Sequence, residues 1–298
     1  MKIAALIVVI LVVLILAAGY ALMRYAMGIP RQSLEDARKW QEDHYDLSWY
    51  DGLAKEDYTV KSYDGYVLHA QFLKNPVTSD RYVLISHGYT DNHFGSLKYT
   101  KMYLDLGFNV IIYDLRGHGA NEITFCTYSV RESRDLIAMI EDSRRRFPEM
   151  SVFGIQGESL GSATSAACLK YRPQIDFVVA DCGFSEIISV MKGGLKAMHL
   201  PGFLVSLASF WAAVLRKYSF RKMRPIDSLP ENEIPILFIH GGKDDFIIPQ
   251  HSFNMSKATK GYSEVCIIPG AEHANSVLTA PEDYKNRVEA FLKKTGSL

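Results

Sequence analysis

The chain has 298 residues, and its 33 Lys and Arg residues balance 33 Asp and Glu residues, so the formal net charge is zero. A nucleic-acid-binding surface brings a basic excess, and this balance therefore argues against nucleic acid as a partner. Apolar residues make up 48% of the chain and aromatic residues 12%, a composition that excludes an intrinsically disordered protein.

The first segment with a clear pattern is residues 3–23, which carry no charge and consist mainly of Val, Ile, Leu and Ala. As a helix rising about 1.5 Å per residue, they would extend roughly 31 Å, close to the hydrocarbon thickness of a bilayer. The sequence predicts a transmembrane anchor over residues 1–25. The alternative is a cleaved signal peptide, whose apolar region is usually shorter, about 7–15 residues.

Basic residues flank this anchor unequally. Lys2 precedes it, whereas Arg24, Arg31, Arg38 and Lys39 follow it. Taken alone, the positive-inside rule would place the rest of the chain in the cytoplasm. The two sides differ by only a few charges, so the charges leave the orientation open.

The next segments lead into the main domain. Residues 26–56 are polar, with a helical pattern and interleaved aromatic residues, and are predicted to form a stalk that packs onto that domain. Residues 57–62 and 66–73 alternate between apolar and polar side chains, as half-buried strands do. Asp64 and Gly65 between them are a strong signal for a hairpin turn.

From residue 82 onward, short apolar segments alternate with amphipathic ones. The predicted strands are 82–86, 109–113, 152–155, 177–180, 235–239 and 264–268. The predicted helices are 96–106, 130–147, 163–171 and 281–293. Apolar strands separated by helices indicate a mostly parallel sheet with helices on both faces. The predicted fold class is therefore α/β, in one domain over residues 57–298.

Residues 184–230 interrupt this alternation, because they separate two strands by far more than a crossover needs. The segment is rich in Met, Phe, Leu and Trp. We predict a small helical cap over the carboxyl edge of the sheet, where open α/β sheets bind their ligands.

The four cysteines, Cys126, Cys168, Cys182 and Cys266, show no spacing typical of a metal site. Three lie in apolar runs, where a free cysteine packs as a small hydrophobe. Buried free thiols are expected, with one disulfide as the alternative.

A Gly-x-Ser-x-Gly sequence, Gly157 to Gly161, follows the predicted strand 152–155 and precedes a helix. In this strand–turn–helix context the motif places a serine on a sharp, exposed turn. Ser159 is the predicted nucleophile. The alternative is a glycine-rich loop with an incidental serine.

Acyl transfer also needs hydrogen-bond donors for the oxyanion that develops on the substrate. The backbone N–H of Leu160, which follows the serine, is one candidate. The N–H of Tyr89 is the other, because its loop follows the strand 82–86. The neighbouring His87 is expected to order this loop rather than to react.

An acid and a base are predicted in the loops after the last two strands. A carboxylate after strand 235–239 would orient the catalytic histidine, and Asp244 is preferred over the adjacent Asp245. His273 follows strand 264–268, and its side chain can take and return a proton near neutral pH. The chain order Ser, Asp, His differs from that of chymotrypsin and subtilisin. A further loop, residues 114–119, is expected to be structural.

These segments together resemble the α/β-hydrolase superfamily, and within it the serine-aminopeptidase-like branch. The resemblance covers about residues 57–295 and includes the sequences HGYTDN, DLRGHG, GESLG, DCGFS, HGGKDD and GAEHANS. It implies an α/β-hydrolase fold, a triad of Ser159, Asp244 and His273, and an oxyanion hole formed by Tyr89 and Leu160.

The spacing after the acid departs from the pattern of this family, in which a proline commonly stands four residues later. Ile248 holds that place relative to Asp244, and Pro249 stands four residues after Asp245. The cap segment also resembles that of membrane-anchored hydrolases of Gram-positive bacteria. That resemblance implies a single-pass protein of the cell membrane with its catalytic domain on the extracellular face.

The expected activity is hydrolysis of a small-molecule carboxylic ester through an acyl-enzyme, without a metal or other cofactor. One alternative is a peptidase or aminopeptidase that uses the same triad. An aminopeptidase needs acidic cap residues for the substrate ammonium, and between residues 184 and 218 only Glu186 is acidic. A non-catalytic binding module is the remaining alternative.

Overall fold

The computed structural model describes residues 2–44 and 46–298. The helices are α1 (Lys2–Met27), α2 (Leu34–His44), α3 (Ser48–Asp51), α4 (Leu97–Asp105), α5 (Glu132–Arg146), α6 (Leu160–Cys168), α7 (Ile187–Ala197), α8 (Phe203–Arg216), α9 (Gln250–Ala258), α10 (Ser276–Thr279) and α11 (Pro281–Lys294). The strands are β1 (Lys55–Lys61), β2 (Val67–Leu73), β3 (Arg81–Ser86), β4 (Asn109–Tyr113), β5 (Val152–Glu158), β6 (Phe177–Asp181), β7 (Ile236–Gly241) and β8 (Ser263–Ile268).

Within these residues the strands form one eight-stranded sheet in the order β1-β2-β4-β3-β5-β6-β7-β8. Strands β3 to β8 are parallel to one another, whereas β1 and β2 form an antiparallel hairpin, and β2 also pairs antiparallel with β4. Gly65 in the hairpin turn has a φ of 83°, which glycine adopts without steric cost. The mostly parallel α/β sheet that the sequence predicts is confirmed.

Both faces of the sheet are buried, which explains why its central strands are apolar throughout. Along β4, Val110 and Ile112 pack with α4 and α11 on one face, while Ile111 packs on the opposite face with α5 and α6. Successive side chains of a strand point to opposite faces, so a strand covered on both sides needs apolar residues at every position. At the carboxyl edge of the sheet, β5, β7 and β8 lead into the loops with the predicted site residues.

Helix α1 is the one described helix that is long and apolar enough to cross a membrane, although a signal sequence has the same properties. Residues 2–18 are exposed, and burial begins at Gly19 and includes Met23, Ala26 and Met27. The helix extends two residues beyond the predicted anchor boundary at 25. Arg24 ends the uncharged run, but the helix continues to Met27 because no glycine or proline follows before Gly28.

The predicted cap contains two helices, α7 and α8, between β6 and β7. The sequence prediction missed α9, because its composition is polar and shows little amphipathic pattern. It also placed the start of α6 at residue 163 instead of Leu160. The helix begins directly after Ser159, and the small residues Gly161 and Ser162 in its first turn carry no hydrophobic periodicity.

Candidate active site

Ser159 lies on the turn between β5 and α6, with φ 51° and ψ −110°. A positive φ is strained for a residue with a side chain and is typical of functional turns. The flanking glycines make the turn sterically feasible. A Cβ on Gly157 would collide with the carbonyl of Gly161, and a Cβ on Gly161 would collide with the carbonyl of Ser86. The Gly-x-Ser-x-Gly pattern thus follows from backbone packing around the serine.

His273, in the loop after β8, lies next to this serine. Its Nε2 is 3.0 Å from Ser159 Oγ, and its Nδ1 is 2.7 Å from Asp244 Oδ2. An ionised carboxylate can only accept a hydrogen bond, so Nδ1 carries the proton and Nε2 is free to accept from the serine hydroxyl. The structure therefore brings the three predicted residues into one hydrogen-bonded line.

The Asp244 side chain is completely buried in the loop after β7. Burial alone would raise its pKa, but hydrogen bonds from His240 and His273 outweigh that effect and lower the pKa to about 2. Its Oδ1 also accepts from the backbone N–H groups of Phe246, at 3.1 Å, and Ile247, at 2.8 Å. These contacts hold the carboxylate ionised and fixed beside the imidazole.

Asp245, the alternative acid, is exposed to solvent and is not bonded to His273 in the described contacts. The sequence did not predict the part taken by His240. This buried side chain lies near the end of β7, with Nε2 at 2.6 Å from the carbonyl of Ile247 and 3.2 Å from Asp244 Oδ2. His240 therefore contacts both the acid and the loop around it. The sequence signal that could have revealed this contact is the spacing of His240 four residues before the predicted acid, Asp244.

The loop of the predicted oxyanion donors passes beside the serine, because a Cβ on Gly88 would lie 3.7 Å from Ser159 Cβ. His87 orders this loop: Nδ1 contacts the carbonyl of Gly88 at 2.7 Å, and Nε2 accepts from the N–H of Leu115 at 2.9 Å. Burial lowers the pKa of His87 to about 4, so its imidazole is neutral at pH 7.

The two predicted donors belong to different elements. Leu160 is the first residue of α6, so its N–H belongs to the free N-terminus of that helix. The N–H of Tyr89 lies in the loop that starts at Gly88, and its phenol contacts the carbonyls of Ala26 and Gly28 at the end of α1.

A crevice of about 290 Å³ opens beside Ser159 and His273. It is lined by the loop from Gly88 to Asp91 and by Gln32 together with Ala37, Trp40 and Gln41 of α2. The sequence predicted that this segment packs on the domain but not that it lines the site. Buried Ala37 and Gln41, spaced i and i+4 on an otherwise charged helix, were the only signal.

A buried group of charged side chains lies beside the serine, and two of its members, Glu158 and Lys98, also line the crevice. Glu158 forms an ion pair with Lys98 of α4 and accepts from the Tyr99 hydroxyl at 2.6 Å. The same hydroxyl is 3.0 Å from Asp181 Oδ2 at the end of β6. Burial, followed by the nearby charge of Glu158, raises the pKa of Asp181 to about 6. No local motif announces this cluster, since its members come from three separate elements.

The loop of residues 114–119 is tied into the protein framework, in line with the structural role expected for it. Asp114 accepts from the backbone N–H groups of His93, at 2.8 Å, and Ala120, at 2.9 Å. Arg116 is buried and pairs with Asp64 of the hairpin turn and Asp135 of α5. Elsewhere, all four cysteines are buried free thiols, and the described residues include no cluster of three or more His, Cys, Asp or Glu side chains placed to hold a metal ion.

The fold and the nucleophile turn define the chain as a serine hydrolase of the α/β-hydrolase fold, as the sequence predicted. The chain belongs to the prolyl oligopeptidase family, whose sequence profile matches residues 92–297. It is 29% identical over 288 residues to the uncharacterized protein YqkD of Bacillus subtilis, covering 95% of this chain and 94% of that one. It is also 25% identical over 251 residues to the α/β hydrolase domain-containing protein WAV2 of Arabidopsis thaliana, covering 81% and 80%.

Two solved structures share the fold. The esterase Pf2001 of Pyrococcus furiosus superposes with a TM-score of 0.71 at 22% identity, over 90% of this chain and 98% of that one. The acylaminoacyl peptidase of Pyrococcus horikoshii superposes with a TM-score of 0.61 at 16% identity, over 81% of this chain and 41% of that one. At these identities the likeness concerns the fold alone.

Proposed function

We propose that the protein hydrolyses small-molecule carboxylic esters with Ser159 as nucleophile, His273 as general base and acid, and Asp244 as the residue that orients the imidazole. The hydrogen-bonded line through these three side chains is the observation that carries the proposal. The imidazole takes the hydroxyl proton while Oγ attacks the carbonyl carbon. It then returns that proton to the leaving alkoxide, and an acyl-enzyme forms.

Water completes the reaction by the same steps. The imidazole removes a proton from water, the hydroxide attacks the acyl carbonyl, and the serine oxygen leaves with the proton. In both halves the carbonyl oxygen becomes negative and accepts from the N–H groups of Tyr89 and Leu160. Loss of one such donor typically reduces turnover roughly 100- to 1000-fold.

The charges around the crevice support an ester substrate over a peptide with a free amino group. Glu158 and Asp91 are the acidic side chains among the described lining residues, and Glu158 is paired with Lys98. Burial raises the pKa of Asp91 to about 6, which weakens it as an anchor for an ammonium group. Membership of the prolyl oligopeptidase family favours the alternative, a peptidase with the same triad.

Substitution of Ser159 tests the nucleophile. We expect a fluorophosphonate to label the wild-type protein, and Ser159→Ala to abolish labelling and reduce ester turnover by about 10⁶-fold. Ser162→Ala is the matched control, because Ser162 is buried in the first turn of α6 with no hydrogen-bond partner for its hydroxyl among the described residues. Turnover retained by Ser159→Ala but lost in Ser162→Ala would overturn the assignment.

The substrate class is tested separately by comparing kcat/KM for p-nitrophenyl esters and amino-acyl p-nitroanilides. Esters should be cleaved faster by a factor larger than the ratio of the two spontaneous hydrolysis rates. Faster cleavage of the anilides would favour the peptidase.

We further propose that α1 holds the enzyme in the cell membrane as a single-pass protein with its catalytic domain on the extracellular face. The length and apolar surface of α1 support the anchor. The resemblance of the cap to those of membrane-anchored hydrolases supports the orientation, against the weak charge asymmetry. A membrane-impermeant fluorophosphonate should label the protein equally in intact and lysed cells. Labelling confined to lysed cells would place the domain in the cytoplasm.

A further inference from the structure

The cap exposes an apolar surface beside the exposed half of α1. Helix α8 carries no charged residue from 203 to 215. Outward-facing apolar side chains at its start and in the preceding turn are strongly exposed, with Met198 67%, Leu200 42% and Phe203 53% accessible. Phe210, further along the helix, is 53% exposed. Soluble proteins rarely expose a continuous apolar surface of this kind. We define the cap tip as residues 198–203.

Helices α1 and α8 pack side by side in the same direction. Gly19 of α1 lies against Leu207 and Ala208 of α8. Eight residues after Ala208, Arg216 of α8 lies over the ring of Phe125. The residue next to Phe125, Cys126, donates its backbone N–H to the carbonyl of Met27, which is eight residues after Gly19 in α1. These contacts indicate that the two helices run in the same direction. Since both helices rise about 1.5 Å per residue, Phe203, five residues before Ala208, is expected at about the level of Leu14, five residues before Gly19.

A tryptophan strengthens this contact. Helical side chains lean toward the N-terminus of their helix, so the ring of Trp211 reaches back along α8. Its Nε1 donates to the carbonyl of Leu16 at 3.0 Å, and its ring lies edge-on to Tyr20 at 5.9 Å between centroids. Trp and Tyr are enriched at the interface of a membrane with water, and this pair marks that level on α1.

The thickness of a bilayer then fixes where the cap tip lies. Residues 3–15 of α1 precede Leu16, whose carbonyl binds Trp211, and extend only about 20 Å, whereas a hydrocarbon core is about 30 Å thick. A membrane crossed by α1 must therefore also cover about seven more residues, from Leu16 to Leu22. The cap tip therefore lies inside the hydrocarbon core. Phe203, at about the level of Leu14, is roughly 12 Å deeper along the helix axis than Leu22.

The charges of the cap match a membrane surface. From residue 184 to 224 the chain carries one acidic side chain, Glu186, and seven basic ones. Two of them, Lys192 and Lys196, lie in α7 just before the tip. The others lie at or after the C-terminus of α8, and they are Arg216, Lys217, Arg221, Lys222 and Arg224, the last of which pairs with Glu186 and Asp227. Basic side chains around an apolar surface attract anionic lipid headgroups, and long lysine side chains can extend to the headgroups while their stems stay in the apolar layer.

We propose that the cap tip is immersed in the same bilayer leaflet that α1 enters, so that the cap is a second membrane contact of the protein. This inference rests on the proposed membrane insertion of α1. It implies that the catalytic crevice is held close to the lipid surface, since the phenol of Tyr89 in its wall contacts the carbonyls of Ala26 and Gly28.

Site-directed spin labelling of the full chain in vesicles of phosphatidylcholine and phosphatidylglycerol tests the proposal. Nitroxides are attached in Phe203→Cys, Leu14→Cys and Val77→Cys. Val77, in the loop between β2 and β3, is 72% exposed and serves as the aqueous control. The unsubstituted protein, with four buried cysteines, gives the labelling background. Fluorophosphonate labelling of each variant shows that its catalytic domain is folded.

We expect the labels at residues 203 and 14 to be several-fold more accessible to oxygen than to an aqueous nickel complex, and the label at residue 77 to show the reverse. A lipid-exposed label at 14 with a nickel-accessible label at 203 would overturn this proposal and leave the anchor standing. Nickel access to both would overturn the anchor as well. A label at 203 shielded from both reagents, with dipolar coupling to a second copy, would show that another protein molecule covers the tip and would also overturn it.

Discussion

Two adjacent aspartates in one loop have opposite surroundings, and only one of them contacts the imidazole. Asp244 is buried and accepts from His273, whereas Asp245 points to solvent. We expect Asp244→Asn to reduce kcat by about 10⁴-fold, because an amide leaves the imidazole in the wrong tautomer. Asp245→Asn is the matched control and should change kcat less than about threefold. Ester turnover measured at pH 8 decides, and a larger loss in Asp245→Asn would contradict the assignment.

At the scale of single residues, the sequence predicted what local motifs determine. Ser159 was recognisable because the turn around it requires glycine on both sides. His273 was recognisable from its place after the last strand. The ion pair of Glu158 with Lys98 was not, since it joins β5 to α4 and depends on how the two elements pack. Contacts between distant elements leave no fixed spacing in the sequence.

Among the elements, α2 has the most direct effect on the site, because one of its faces lines the catalytic crevice. Its exposed face is charged, and only Ala37 and Gln41 are buried. The helix is therefore stabilised by packing on the domain through a small contact area. The size of the side chains on that buried face therefore sets the width of the crevice.

This role of α2 predicts opposite effects of two substitutions. Ala37→Phe should narrow the crevice and lower kcat/KM for bulky esters at least tenfold relative to acetyl esters. Gln41→Ala should widen it and shift that ratio the other way, severalfold. Lys39→Ala, on the exposed face of the same helix, should leave the ratio unchanged. Ratios that do not move in either crevice variant would show that substrates do not occupy this space.

Element prediction from the sequence succeeded where burial dictates composition and failed where it does not. Strand β4 is covered on both faces, and its bounds match the predicted 109–113. Helix α9 is short and polar, with only part of one side buried, so it lacks the pattern that reveals a helix. The wall formed by α2 escaped prediction for a related reason, since its buried face consists of only Ala37, which is small, and Gln41, which is polar.

At the scale of the whole molecule, two kinds of buried ionisable group change the free energy of unfolding in opposite directions as the pH rises. Burial lowers the pKa of His87 to about 4 and that of His118 to about 3. These groups contribute stability above the unfolded pKa of about 6.5 and lose that contribution as the pH falls. Asp181, with a pKa raised to about 6, has the opposite effect. Its contribution is complete below about pH 4 and is lost as the pH rises through 6.

The contribution of Asp181 can be isolated by Asp181→Asn, which keeps an acceptor for the Tyr99 hydroxyl and removes the titration. Its Oδ1 has no hydrogen-bond partner among the described residues, so a charge on this carboxyl is poorly compensated. Relative to wild type, the variant should gain stability from pH 4 to 7, by at most about 3 kcal/mol, and then level off. Melting temperatures in detergent would record this as a shift of several degrees. Asp80→Asn, at an exposed aspartate, is the control and should show no trend. A difference that stays constant or shrinks between pH 4 and 7 would mean that Asp181 is already ionised in the folded protein at low pH.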